Sequence, residues 1–298
     1  MNLTTEFKQL VIEEMKAVRS RYSGTDAAFA KQWDMNSSVW SRIKNGELDG
    51  LLKDSQWLNI GRELNVNINN RKWNMAKTEV FEAIKADVIF CQENGKGIIL
   101  VDDCAIGKTF AGKYLSKTLN NCFYIDGSQC KTKSLFIRAF AKAIGIDSLG
   151  KIAEVKANIK YYLKMLPQPM IILDEAGDLE YTAFLELKEF WNATEGVCGW
   201  YLMGADGLRS KIERGINSRK VGYRELLSRY SDKFMKIIPT DRTERLAFYR
   251  KMVSDVLSVN ITNKTKLPGL VNKCLASDAS GDIGGLRRAE TLLILEKA

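Results

Sequence analysis

Five apolar residues, Gly97-Ile98-Ile99-Leu100-Val101, run directly into Asp102-Asp103-Cys104-Ala105-Ile106-Gly107-Lys108-Thr109 and then into a helical pattern. A strand apolar at every position must be buried on both faces, which points to a parallel sheet covered by helices. The turn that follows is equally restrictive. A phosphate chain needs backbone N–H groups turned inward and a helix N-terminus beneath it. It also needs a long cation for the β/γ oxygens and a hydroxyl for Mg²⁺, and Lys108 and Thr109 stand at those places in G-x-x-x-x-G-K-[ST]. Cys104, Ala105, Ile106, Gly107, Lys108, Thr109 and Phe110 are therefore the expected nucleotide contacts. The first position of the pattern is Asp102 and not Gly. Asp102 and Asp103 must point away from bound phosphates, which they would otherwise repel.

A second signal lies 66 residues beyond Lys108, where the buried run Met170-Ile171-Ile172-Leu173 ends in Asp174-Glu175. Asp174 is placed to orient Mg²⁺ through its water shell, with Thr109 as the other metal-side residue, and Glu175 to polarise the water attacking a γ-phosphate. The two signals together predict ATP hydrolysis with Lys108 and Glu175 as catalytic groups. Composition agrees: the chain has no histidine, which excludes Ser-His and Cys-His triads and His-ligated metals. Its six cysteines contain no C-x-x-C pair, so reduced thiols of a cytoplasmic protein are expected. The N-terminus shows no signal-peptide core and the apolar runs are strand-sized, so no membrane partner is expected.

Along the chain, residues 1–64 read as short helices and 65–77, rich in Asn, as a linker. Strands then alternate with helices over 78–239: strands at Gly97–Val101, Cys122–Ile125, Met170–Leu173 and Gly199–Met203, with a helix through Leu179–Trp191 between the last two. Residues 240–298 hold only helices. The first of them, Thr243–Ser258, is capped by Asp241 with Glu244.

From Thr78 onward the chain resembles the AAA+ ATPases, which implies an α/β parallel-sheet P-loop core with a small helical lid. Leu226-Leu227-Ser228-Arg229-Tyr230 resembles that family's Ser-Arg-aromatic box. The resemblance makes Arg229 an arginine finger acting on a neighbour's γ-phosphate, with Arg224 as the alternative. Gly281-Asp282-Ile283-Gly284-Gly285-Leu286-Arg287-Arg288 resembles the sensor-2 start of the lid's last helix, which puts Arg287 on the phosphates. After the strand Gly199–Met203 only Asp206 could serve as sensor 1. In the first domain, Ala28 to Gly46 resembles a Cro/repressor-type helix-turn-helix. Ala30, Met35, Trp40 and Ile43 would face the core, Asp34 would take the turn position, and Ser37, Ser38, Ser41 and Arg42 would enter a major groove.

The net charge of +9 suits an anionic partner. Residues 206–251 carry 13 Lys+Arg against 6 Asp+Glu, whereas 1–75 carry 11 against 9. Arg214, Arg219 and Lys220 lie in the basic stretch. Lys131 and Lys133 follow the second core strand, where DNA-encircling AAA+ relatives line the ring. All five are DNA-contact candidates. In order and size of parts the whole chain resembles the B-type transposition ATPases of phage Mu and their transposon relatives. That resemblance implies an ATP-driven filament or ring of this chain on duplex DNA, with a transposase as partner. A helicase-loader or replication-initiator ATPase, and a nucleotide-switched regulator without hydrolysis, remain alternatives.

Overall fold

A computed structural model describes residues 3–22, 24–64, 66–68, 73–276 and 283–297. The chain divides into two compact units, Met1–Lys72 with Ala141–Lys151, and Trp73–Phe140 with Ile152–Ala298. The expected positions Gly281 and Asp282 lie outside the described residues.

The first unit contains α1 (Thr5–Arg21), α2 (Asp26–Gln32), α3 (Ser37–Lys44) and α4 (Asp54–Glu63). Thr4, Thr25 and Asn36 each cap a helix by accepting a backbone N–H three residues on. Asp34, between α2 and α3, has φ +51°, a left-handed conformation that Asp adopts more readily than most residues. Val11, Met15, Phe29, Ala30, Trp40, Ile43 and Trp57 form its fully buried core. Ser37, Ser38, Ser41 and Arg42 are exposed on α3.

The second unit is built on a sheet. Its elements are α5 (Glu79–Asn94), β1 (Gly97–Val101), α6 (Lys108–Thr118), β2 (Cys122–Asp126), α7 (Lys133–Ile144, of which the part up to Phe140 belongs to this unit), α8 (Ile152–Met165), β3 (Met170–Asp174), α9 (Tyr181–Ala193), β4 (Gly199–Gly204), α10 (Asp206–Asn217), α11 (Tyr223–Arg229) and β5 (Phe234–Met235). The helices α12 (Arg242–Asn260), α13 (Leu267–Leu275) and α14 (Leu286–Lys297) follow and pack on one another. Strand order is β2-β3-β4-β1-β5, every pairing parallel. Every residue of β1, β3 and β4 is buried, because helices cover both faces. Ile98, Leu100, Ile172, Tyr201 and Met203 meet α5, α6 and the last three helices in one core. On the opposite face Trp200 meets Phe140, which packs edge-on against Phe190 at 4.9 Å between centroids.

Three features differ from expectation. β5 has only two residues, too few for a periodic signal, yet it pairs with Ile99 and Leu100. Between β3 and α9 the chain makes a tight 3-10 turn, Ala176–Asp178, so the helix starts at Tyr181 and not Leu179. The basic stretch 206–251, in which only the helix from Thr243 was expected, holds α10, α11, β5 and the first half of α12.

The strand order matters for the site. With β4 between β1 and β3, the loop after β1 and the acids after β3 are two strand spacings apart, roughly 10 Å. That leaves room between them for a phosphate and a water.

Candidate nucleotide site

The turn after β1 achieves its shape through left-handed backbone at Ala105 (φ +57°) and Gly107 (φ +97°), and α6 then begins at Lys108. Glycine is required at the second of these, where a side chain would be strained. Asp102 has no positive φ, so the first position of the motif makes no conformational demand for glycine.

Both acids of the loop face away from it. The Asp102 carboxylate is buried and accepts backbone N–H bonds from Asp103 (2.8 Å), Ile237 (2.5 Å) and Ile238 (2.9 Å). Asp103 accepts the Tyr249 hydroxyl at 2.8 Å and pairs with Arg245 at 2.7 Å, both on α12. The N–H of Leu286, first residue of α14, bonds the Ala105 carbonyl at 2.7 Å. Lys108 bends back over the loop, its Nζ donating to the carbonyls of Asp102 (2.8 Å) and Asp103 (2.5 Å). Burial lowers the Lys108 pKa, while Asp102, Asp174 and Glu175 pull it up.

At the end of β3, Asp174 is almost wholly buried. Its Oδ2 accepts the hydroxyl of Tyr124 on β2 at 2.8 Å, and its Oδ1 accepts the Glu175 N–H at 3.0 Å. Glu175 is held at φ +46° at the head of the Ala176–Asp178 turn. Burial raises its pKa first, and the negative charges of Asp174 and Asp178 raise it further. Burial together with the Asp174 charge pushes the Tyr124 phenol well above its usual range.

Glu175 and the whole run Cys104–Phe110 line one cavity of 440 Å³. This is within the usual size of small-molecule sites, roughly 300–1,000 Å³. Thr109 lines the cavity and offers a hydroxyl of the kind Mg²⁺ takes alongside phosphates and water, whereas Asp174 is buried behind the lining with its oxygens on Tyr124 and the Glu175 N–H. Arg287, exposed on the first turn of α14, also lines the cavity, as does Ala205 in place of the expected Asp206.

Several lining residues lie beyond the sequence-based expectations. Trp73 and Asn74 belong to the stretch read as a linker, yet Trp73 Nε1 donates to Glu290 at 3.3 Å and Asn74 exchanges bonds with Asn260 and Val259. Trp73, Phe81, Val256 and Leu286 give the cavity an apolar part, and Leu286 borders the phosphate turn itself, its Cδ1 3.4 Å from where a Gly107 Cβ would stand. A lone Trp in an Asn-rich segment is the one signal the sequence offers for them.

Residues 92–212 match the family model for an AAA domain. The match supports a P-loop AAA+ ATPase. It spans β1 to β4 and most of α10, and so covers the phosphate turn and both acids of β3. Residues 1–72, Trp73, the Arg229 box and the helices α12–α14 lie outside it. Comparison with curated proteins gives no match. None of the described helices is long and apolar enough to cross a membrane.

The remaining candidates stand apart from this cavity. Arg229 is not among its lining residues; its guanidinium donates to Asn192 Oδ1 and the Glu225 carbonyl, both at 2.6 Å, and lies 5.6 Å from the Trp191 ring centroid. Tyr230 beside it is fully buried against Gly97. Arg224 pairs with Asp232 at 3.2 Å. Lys131 pairs with Asp178 at 2.9 Å, and Lys133 reaches the buried Glu186 at 2.6 Å, which Lys156 also neutralises. Lys133 thus has a structural task that its sequence position did not show. Arg214, Arg219 and Lys220 are exposed on and after α10, and Arg42 is paired with Glu47.

Proposed function

We propose that this chain is a Mg²⁺-dependent ATPase that assembles on duplex DNA. The observation that carries the reading is the single cavity shared by Lys108, Thr109 and Glu175 with an apolar part at Trp73 and Leu286. ATP supplies the phosphates for the turn and a planar base for the apolar part. Lys108 moves from the Asp102 and Asp103 carbonyls to the phosphate oxygens. Thr109 and Asp174 would hold the Mg²⁺, directly or through water, and the ion would neutralise charge developing on the phosphates. Glu175, whose pKa is raised toward that of a working base, takes the proton of the attacking water.

Arg229 completes a neighbour's site. Its absence from the lining of its own chain's cavity supports action in trans, which makes turnover depend on assembly. The duplex lies against basic residues of the second unit, Arg214, Arg219, Lys220 and Lys131, with Lys133 the weakest candidate because of Glu186. In the first unit Ser37, Ser38, Ser41 and Arg42 face a groove, Arg42 after release from Glu47. The order of parts favours a filament or ring that delivers target DNA to a transposase; loading a helicase is the second reading. Turnover should rise with duplex DNA in wild type. Glu175→Gln should bind ATP and assemble while hydrolysis falls by about 10²-fold or more. Absence of any DNA-stimulated turnover in wild type would refute the reading.

A further inference from the structure

A second recess, of 360 Å³, opens on α10 and the turn after it. Ser210, Lys211, Arg214, Ser218, Lys220 and Tyr223 line it. The first four lie three or four residues apart, or one apart at the start, along one flank of α10 and its C-terminal cap, so their side chains converge. Among the described residues no carboxylate lines the recess. Lys220 is held by a ring and not by an acid: its ammonium lies 3.8 Å from the Tyr181 ring centroid, and Tyr181 stacks on Tyr223 at 5.8 Å. Lys211 is half-buried and gives Nζ–H bonds to the carbonyls of Gly177 (2.8 Å) and Leu179. An ammonium has three N–H donors, so one is left on the side of the recess and of the Phe184 ring, whose centroid lies 5.6 Å from Nζ. Burial lowers the Lys211 pKa; Asp178 resists this and Lys220 adds to it. Cations gathered without a lining counter-charge repel one another, and an anion between them removes that cost.

The two carbonyls that Lys211 holds belong to the turn that carries Glu175. The Asp178 N–H bonds the Glu175 carbonyl at 3.0 Å, closing the turn directly behind the catalytic candidate. Gly177 lies flat on α10, where a Cβ would stand 3.1 Å from the Leu208 nitrogen. The turn and α10 therefore meet backbone to backbone, and Lys211 fastens one to the other.

We propose that this recess seats a backbone phosphate of nucleic acid and that Lys211, a positioning residue, transmits its occupancy to Glu175. The inference deepens the proposed function: its first half rests on the duplex-binding reading and its second half on the ATPase reading. Serine hydroxyls and an arginine fork suit phosphate oxygens, and the surrounding stretch, 13 basic against 6 acidic residues over 206–251, concentrates a polyanion. Phosphate fixes the third Lys211 donor and with it α10 and the turn, so Glu175 spends more time in its working position.

The test uses the full chain. Binding of a labelled random-sequence duplex is followed by anisotropy against KCl, with a non-hydrolysable ATP analogue present. Arg214→Ala with Lys220→Ala should flatten the log–log salt slope by roughly one, at about 0.9 for the phosphate no longer neutralised. Lys211→Met should flatten it by no more than about one. Its ratio of turnover with and without duplex should fall close to unity, and Lys211→Arg should restore the ratio. If Lys211→Met cannot bind ATP, the stimulation ratio of the double variant decides, and it must fall with the slope. An unchanged slope in the double variant, or wild-type stimulation in Lys211→Met, overturns the proposal. So does a double variant that loses only self-association, which would make the recess a subunit seam. Inorganic phosphate is added as a separate arm: displacement of duplex by millimolar phosphate alone, with stimulation, would assign the recess to the free ion and overturn the nucleic-acid source. The binding arm needs no hydrolysis, so it judges the recess even if wild type proves inactive and the ATPase reading fails.

Discussion

Restoring the glycine that the phosphate-turn motif has at position 102 should damage this protein. The Asp102 carboxylate accepts three backbone N–H groups, two of them from Ile237 and Ile238 on the segment leading from β5 to α12. Hydrogen bonds to a charged group contribute about 1.5–3 kcal/mol each, and a buried donor left without a partner costs about 1–3 kcal/mol. Ile238 is 2% exposed and its N–H has no route to water, whereas those of Asp103 and Ile237 are half-exposed and regain some hydration. The net loss for Asp102→Gly or Asp102→Ala is therefore about 3–5 kcal/mol, and Gly adds roughly 0.5 kcal/mol of unfolded-chain freedom. For a unit of this size each kcal/mol moves the midpoint by roughly 2–4 °C, which predicts a fall of roughly 8–15 °C. Asp102→Asn keeps one oxygen for Ile237 and Ile238 but turns an amide toward the Asp103 N–H, so about 1–2 kcal/mol is expected. Differential scanning calorimetry reads the effect in the transition that ATP shifts upward, which belongs to the P-loop unit. An Asp102→Gly midpoint within about 2 °C of wild type, or above it, would refute the reasoning.

Three further outcomes follow from the same geometry. Trp73→Ala removes the ring at the apolar part of the cavity; at about 1–3 kcal/mol per stacked base, affinity for a fluorescent ATP analogue should weaken roughly ten- to hundredfold, and an unchanged Kd would remove Trp73 from the base site. Asp178→Asn removes a negative charge that raises the Glu175 pKa, so the acid limb of kcat/KM for ATP should move to lower pH; movement to higher pH, or none, would contradict Glu175 as the group titrating there. Arg229→Ala should lose on the order of 10³-fold in turnover, yet mixing it with Glu175→Gln should recover activity at interfaces where an intact Glu175 meets an intact Arg229; no recovery would place the arginine's action in its own subunit.

How far the sequence could be read depended on whether a feature leaves a local pattern. β1, β3 and β4 were legible because burial on both faces makes each an unbroken apolar run flanked by turn residues. Asp174 and Glu175 were legible because they end such a run. β5 was not, since two residues pairing with Ile99 and Leu100 carry no period. Trp73, Glu290 and Tyr124 were missed for a different reason: they reach the site from segments 217 and 50 residues away from their bonding partners, which no local pattern encodes. The ion pair of Lys133 with the buried Glu186 was not legible, because the two lie 53 residues apart. Arg42 and Lys131 likewise spend their charge on Glu47 and Asp178. A basic count locates a surface, but only the pairing shows which cations on it remain for a ligand.

The departure at position 102 then acquires a physical reason. Where the backbone turns left-handed, at Ala105 and Gly107, the chain has a small residue and a glycine; at Asp102 it does not turn, and a side chain is tolerated. The side chains used there are two carboxylates, which a phosphate turn could not accept facing inward. Each is instead consumed by the chain beyond β5: Asp102 by the N–H groups of Ile237 and Ile238 in the connection to α12, Asp103 by Tyr249 and Arg245 on α12. The same loop is joined to α14 through the bond from Leu286 to Ala105. Lys108 meanwhile rests on the carbonyls of these two aspartates. Phosphates that draw Lys108 off those carbonyls act on a loop already fastened to α12 and α14, so any backbone adjustment at 102–105 is delivered directly to the last three helices. A glycine at 102 would leave the phosphate turn intact and cut the strongest of those connections.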